Sequence, residues 1–198
     1  MTQIVVPFRG ENGKQRLDAS EETRTRLSLA MLGDVLAAAT MTGRTHLVTR
    51  DAGGLALAEE LGAEALAEPG GGQGAAVAAA LAHLDDGPVL IVNADLPCVV
   101  PHDLRTFAGT AELGAIGYVE AVDGTTNALA LPSAALFVPL YGQGSAARFR
   151  DHADSIGITV VSCAIPNLRD DVDTLDDLRR IGLRAGPRTQ AALDGSPR

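Results

Sequence analysis

Apolar and polar positions along this chain follow two rhythms. Short apolar runs rich in β-branched residues read as strands, and stretches with apolar residues three and four apart read as helices. Gln3-Ile4-Val5-Val6-Pro7 opens the pattern and predicts a first strand over 3–8. Residues 21–42 predict a long helix, with Leu27, Ala30, Met31, Val35, Ala38 and Met41 near helical spacing. Residues 45–49 predict strand two, 52–61 a helix stopped by Gly62, 63–67 a short strand three, and 75–84 an Ala-rich helix. Pro88-Val89-Leu90-Ile91-Val92 predicts a strand buried on both faces. This alternation implies a parallel sheet with right-handed crossovers.

The second half is less regular. Residues 115–119 and 128–131 read as strands, with the Asp123-Gly124-Thr125-Thr126 turn between them as an antiparallel element. Ser145 reads as the N-cap of a helix over 145–156, 159–162 as a further strand, and Thr174 as the cap of 175–181. There are no repeats and no internal linker. One domain over 1–185 is expected, with 186–198 as a tail or short helix.

Composition narrows the class. The 198 residues suffice for one sizeable core, and with aromatics at only 3% and no Trp, Ala, Leu and Val must fill it. That suits helices packed on a sheet. A formal charge of −9 argues against a broad nucleic-acid surface, although a few local Lys and Arg suffice for a phosphate site. Cys98 and Cys163 make neither a disulfide framework nor a four-Cys zinc site. No signal-peptide pattern and no apolar run of bilayer length appear, so a cytoplasmic location and no membrane partner are expected.

Four stretches carry candidate chemistry. Asn93-Ala94-Asp95-Leu96-Pro97 follows the central strand and puts Asp95 at its carboxyl end, where open α/β sheets bind ligands. A carboxylate there calls for a cation or a full set of hydrogen bonds; magnesium carrying a nucleotide's phosphates is the natural candidate. The plain alternative is a turn residue capping the helix over 102–111. The second stretch, residues 7–17, follows strand one. Gly10 and Gly13 allow close backbone approach, and Arg9, Lys14 and Arg16 supply positive charge. It is neither a P-loop nor a dinucleotide fingerprint, and a solvated basic turn is its plain reading. The third is Asp170-Asp171-Val172-Asp173-Thr174, where Asp171 and Asp173 face one side if extended and repel unless a cation bridges them. Alternatively, these acids decorate a helix start. Gly70-Gly71-Gly72-Gln73-Gly74 opens a helix and could admit a ring or phosphate, with Gln73 able to read a base edge, or is a surface connection. Weaker still are Gly124-Thr125-Thr126-Asn127 and Gly142-Gln143-Gly144-Ser145, turn residues able to form a small anion pocket. The four histidines lack ligand spacing, and no nucleophile elbow appears.

Taken together and in order, these pieces resemble the guanylyltransferases that make the phospholactyl or phosphoenolpyruvyl guanosine diphosphate precursor of coenzyme F-420. The resemblance runs from Val6 to about Leu178. It rests on a Pro-x-(Lys/Arg)-Gly…Lys-x-Arg-Leu loop at 7–17, Asp95-Leu96-Pro97, the stretch 124–129, Asp171-Val172-Asp173-Thr174, and Gly142-x-x-Ser145. It implies a Rossmann-like, three-layer α/β nucleotidyltransferase fold with a mixed, mostly parallel sheet. It implies that Asp95, Asp171 and Asp173 hold Mg2+, that Lys14 and Arg16 grip the triphosphate of GTP, and that Thr126, Gly142 and Ser145 bind the carboxylate of a small phosphorylated three-carbon acid. Pro7, Arg9, Gly10, Gln73, Gly74 and Asn93 fall on the nucleotide side, and Asn127 on the acceptor side. Lys14, Arg16 and Asp95 form the catalytic set.

The reaction implied is attack by the acceptor phosphate on the α-phosphorus of GTP, which needs positioning and charge neutralisation more than acid–base work. The chain departs from the family pattern at Arg9, Gln15, Gln73-Gly74, Ala146 and Arg148, which opens guanine selectivity and acceptor identity. Rival readings are a molybdopterin- or phosphosugar-directed nucleotidyltransferase, and a nucleotide-binding regulator without turnover. Oligomeric state has no sequence signature; a homodimer is compatible.

Overall fold

The structure is a computed structural model describing residues 2–10 and 17–194. A seven-stranded sheet runs in the order β3-β2-β1-β4-β6-β5-β7, with β1 Gln3–Pro7, β2 Arg44–Thr49, β3 Glu64–Ala67, β4 Val89–Val92, β5 Ile116–Glu120, β6 Thr126–Leu131 and β7 Val160–Ser162. Only β6 runs against the rest: it pairs antiparallel with β4 and β5, whereas the other pairings are parallel. The sheet is thus mixed and mostly parallel. The helices are α1 Glu21–Thr40, α2 Ala52–Leu61, α3 Gln73–Leu81, α4 Pro101–Glu112, α5 Ser145–Ser155, α6 Pro166–Arg169, α7 Leu175–Ile181 and α8 Pro187–Leu193.

Side-chain alternation along β1 builds a three-layer core. Ile4 and Val6 join a cluster with Leu32 and Leu36 of α1 and Leu104 and Phe107 of α4. Val5 joins the opposite cluster with Val77 and Ala80 of α3 and Phe149 of α5. The chain steps outward from β1 to β2 to β3, then returns through α3 to β4 on the other side of β1. A right-handed crossover running the other way must lie on the opposite face, which is why α3 leaves the α1 side. That reversal opens a crevice between the carboxyl ends of β1 and β4.

Local signals explain most boundaries. Ser20 caps α1 by accepting from the Thr23 N–H at 3.2 Å, and Asp51 caps α2 by accepting from the Gly54 N–H at 2.8 Å. Gly62 ends α2 at φ 73°, a left-handed position suited to glycine. The strand β4 ends at Val92, as its apolar run predicts, and the Asn93 N–H bonds the Asn127 carbonyl at 3.0 Å. One expectation shifts. Gly144, left-handed at φ 70°, rather than Ser145 precedes α5; the Ser145 hydroxyl is spent elsewhere.

Beyond residue 186 the chain forms α8, which docks on α1. Asp34, only 5% exposed in the middle of α1, accepts from the N–H groups of Arg188 at 3.0 Å and Thr189 at 2.9 Å. A carboxylate inside one helix thereby caps the next. Gly186 fits against that carboxylate with no room for a side chain, and its N–H donates to the Pro97 carbonyl at 2.7 Å.

Candidate active site at the carboxyl rim of the sheet

The crevice between β1 and β4 holds a cavity of about 190 Å³ lined by Pro7, Met31, Glu68, Gln73, Ala76 and Asn93. Arg9 stands at its mouth beside Gly72. Gly10 takes φ 71°, and a side chain there would collide with the Asp51 carboxylate, so glycine is required for the turn leaving β1. The expected triphosphate grips, Lys14 and Arg16, lie outside the described residues, as does Gln15.

Across the crevice, Gly70, Gly71 and Gly72 all have positive φ and deliver the chain to α3. Among the described residues no side chain caps that helix, which leaves its first N–H groups without a side-chain acceptor there. Gly74 lies against Pro139, where a Cβ would come within 2.7 Å of the proline ring. The Gln73 amide donates to Asn93 Oδ1 at 2.7 Å, and the Asn93 amide donates to the Thr126 carbonyl at 3.3 Å. Gln73 is therefore fixed to the end of β4.

On the other side of Asn93 is a second, more polar cavity that includes Thr126, Gly142 and Ser145. Thr126 and Ser145 are almost fully buried, and the Ser145 hydroxyl donates to Thr126 Oγ1 at 3.0 Å. This bond is where the Ser145 side chain is spent. The antiparallel pairing of β4 with β6 brings Thr126 beside Asn93. Among the liners of these cavities that sequence reading missed are Asp123, Tyr141 and Glu68. Asp123 was legible only as a turn residue; it accepts from the Thr125 N–H at 3.0 Å and hydroxyl at 2.6 Å. Nothing in local sequence marks Tyr141 or Glu68.

Three carboxylates converge on the wall of the second cavity, and Asp95 lines the first as well. One ligand oxygen each from Asp95, Asp171 and Asp173 lies within 4.8 Å of the others, all at intermediate exposure. Asp95 does not cap α4; Asp103 does, accepting from the Val100 N–H at 3.1 Å, with Pro101 filling the first turn. Nor do Asp171 and Asp173 decorate α7. Its cap is Thr174, in a reciprocal box with Asp177, and they precede it. The Val172 N–H donates to the Asp95 carbonyl at 3.1 Å, stitching the two segments together. Asn127 donates its amide to the Arg169 carbonyl at 3.0 Å and to Asp171 Oδ1 at 3.4 Å. The Asp173 N–H donates to Asp177 at 3.1 Å. Three hard oxygen donors held this close make a ligand set of the kind that oxygen-seeking divalent cations take, so the donor set fits Mg2+ or Mn2+.

Two neighbouring acids brace this loop. Burial alone would raise the Asp170 carboxyl, but hydrogen bonds from Arg184 and Arg180 outweigh it and hold the group below its ordinary range. Asp177 is likewise lowered: burial opposes, and bonds from the Thr174 hydroxyl and the Asp173 and Thr174 amides prevail.

Comparison with known proteins identifies the family. Residues 2–191 match the family model described as guanylyl transferase CofC like. The phosphoenolpyruvate guanylyltransferase of Streptomyces scabiei is 37% identical, over 96% of this chain and 94% of its own. A nucleotidyl transferase structure from Methanothermobacter thermautotroptrophicus superposes with a TM-score of 0.65 at 16% identity, covering 99% of both chains. A Mycobacterium tuberculosis protein solved with manganese gives 0.55 at 22%, covering 91% of this chain and 96% of its own. The last two are likenesses of fold. Matched by its family over nearly its whole length, the chain is a nucleotidyltransferase and belongs to the CofC-like guanylyl transferase family.

Proposed function

We propose that this enzyme joins GMP from GTP to phosphoenolpyruvate and releases pyrophosphate, a step of coenzyme F-420 biosynthesis. The observation that carries the reading is the convergence of Asp95, Asp171 and Asp173 on the wall of the Thr126–Ser145 cavity, with Asp95 also lining the β1–β4 crevice. The name borne by the Streptomyces scabiei relative supports phosphoenolpyruvate as acceptor.

In the proposed reaction an oxygen of the acceptor's phosphate attacks the α-phosphorus of GTP. The bond from that phosphorus to the oxygen bridging to the β-phosphorus breaks, and pyrophosphate leaves with the electron pair. The nucleophile is already anionic, so no protein base is required, and the work of the site is alignment and charge balance. Pro7, Arg9, Gly10, Gln73, Gly74 and Asn93 flank the nucleotide, with Gln73 held by Asn93 at the base side. Lys14 and Arg16 are assigned to the triphosphate from sequence alone. Thr126 and Gly142 take the acceptor's carboxylate beside Ser145, whose hydroxyl donates to Thr126 Oγ1 and so leaves the Thr126 proton for the ligand, while Asn127 orients Asp171. Asp95, Asp171 and Asp173 would hold Mg2+, which supplies neutralisation of phosphate charge when bound.

The test is pyrophosphate release with magnesium, crossing GTP, ATP and CTP with phosphoenolpyruvate, 2-phospholactate and 3-phosphoglycerate, with products identified by mass. Turnover confined to GTP and phosphoenolpyruvate is expected. Turnover with 2-phospholactate instead would correct the acceptor, and silence across the grid from folded protein would sink the reading.

A further inference from the structure

The loop over 140–144 walls the acceptor cavity through Gly142 and leads into Ser145. Two of its residues need glycine, Gly142 at φ 107° and Gly144 at φ 70°. So permissive a segment has no intrinsic reason to hold one shape. One exposed side chain ties it. Arg148, on the first turn of α5, donates from Nε and Nη2 to the Leu140 carbonyl at 3.2 and 2.9 Å. Its Nη2 also reaches the Tyr141 carbonyl at 3.1 Å, and its Nη1 the Gln143 carbonyl at 2.6 Å. Among the described residues it forms no ion pair, so its charge serves these carbonyls alone.

A trans peptide points its C=O and N–H in opposite directions. With the carbonyls of Tyr141 and Gln143 drawn to the guanidinium, the N–H groups of Gly142 and Gly144 turn away from it. Neither donates to an acceptor among the described residues. The same loop is anchored on its far side: the Ser145 N–H bonds the Gly142 carbonyl at 3.0 Å, and the Ala146 N–H bonds the Gly124 carbonyl at 3.4 Å. Resting on the acceptor assignment above, we propose that Arg148 is a positioning residue for the acceptor. It holds the loop in the one arrangement that turns the Gly142 N–H outward as an anion donor, beside the Ser145 hydroxyl. It also stands behind that loop as a cation with no ion pair among the described residues, which favours an acceptor carrying both carboxylate and phosphate. A lysine cannot replace it fully, because its single ammonium lacks the planar fork that spans three carbonyls.

The test compares Arg148→Ala and Arg148→Lys with the natural enzyme in pyrophosphate release, varying phosphoenolpyruvate and GTP separately. Amide exchange over 140–144 is followed in the absence of substrate. The alanine variant is expected to raise the KM for phosphoenolpyruvate at least about ten-fold while the KM for GTP stays within about two-fold, to exchange faster over 140–144, and to regain part of the lost affinity when millimolar guanidinium is added. The lysine variant should fall between. An unchanged phosphoenolpyruvate KM, equal rises for both substrates, or unaltered exchange would each overturn the proposal. If the natural enzyme itself fails to turn over GTP with phosphoenolpyruvate, the functional reading falls, and the exchange comparison then decides the clamp alone.

Discussion

The side-chain amide of Asn127 donates to Asp171 Oδ1 at 3.4 Å and to the Arg169 carbonyl at 3.0 Å, so a residue of β6 orients a carboxylate of the metal-competent triad. Asn127 is 1% exposed, and both bonds are part-buried. Outer partners of this kind fix the angle at which a ligand is offered. Replacing Asn127 by Ala should raise the magnesium concentration needed for half-maximal turnover roughly 10–100-fold. It should also cost about 1–3 kcal/mol of stability through the carbonyl left without its donor. A magnesium titration of pyrophosphate release, paired with a denaturant melt, reads both numbers. Unchanged magnesium dependence would remove Asn127 from the site.

Asp95 carries the prediction closest to the chemistry. Asp95→Asn keeps volume and removes the charge, so circular dichroism and melting should change little. Metal-dependent pyrophosphate release should fall at least about a thousand-fold, the scale of losing a charge-stabilising group. Chelation of divalent ions should silence the natural enzyme equally, and added magnesium should restore it. Substantial turnover by the folded variant would contradict the assignment.

The Asp170 bridge to Arg180 and Arg184 predicts the acid limb of the stability curve. Arg180 donates to Asp170 at 2.6 Å, and Arg184 bonds the other carboxylate oxygen. The folded carboxyl is held below its unfolded value, so the unfolded chain binds more protons and stability rises with pH through that window. The contribution is present above about pH 4 and is lost as pH falls through the lowered folded value. Asp170→Asn should cost about 1–2 kcal/mol at pH 7, discounted for the half-exposed guanidinium ends, and the gap should narrow toward pH 2. Urea melts at pH 7, 5, 4 and 3 test this. A gap constant with pH would show that Asp170 acts through shape rather than charge. Asp177, lowered in the same direction, leaves a residual slope in the variant.

Asp34 predicts a local rather than global failure. Its carboxylate caps α8 from inside α1 with bonds of 3.0 and 2.9 Å. Asp34→Ala should cost about 1–2 kcal/mol, the usual worth of a cap. Exchange protection should be lost first over 187–193, while β1 and β4 keep theirs. Gly186→Ala should give the same phenotype by collision with that carboxylate. Uniform loss of protection across the sheet would instead make α8 part of the main cooperative unit.

Much of this molecule is written in its local sequence. The β-branched runs at 3–7 and 89–92, the Thr174 cap and the Gly62 stop are short-range signals, and each produced the element it implied. Right-handed crossovers then leave little choice about where β1 and β4 end, so Asp95 at the rim follows from pattern and handedness. The pairing of Asp171 with Asp173 was likewise legible in their spacing. What the sequence left open was long-range. Whether Asp95 capped a helix or joined that pair depended on Asp103 reaching Val100 and on Val172 bonding Asp95. The partner of Ser145 is a buried hydroxyl on β6, and that of Asp34 is a helix at the far end of the chain. Such bonds join residues far apart in the chain, and they exist only once packing has excluded water from both partners. Local propensity names the residues able to cap, turn or ligate; the tertiary fold chooses among them, because a polar side chain goes where burial would otherwise leave a donor or acceptor unsatisfied.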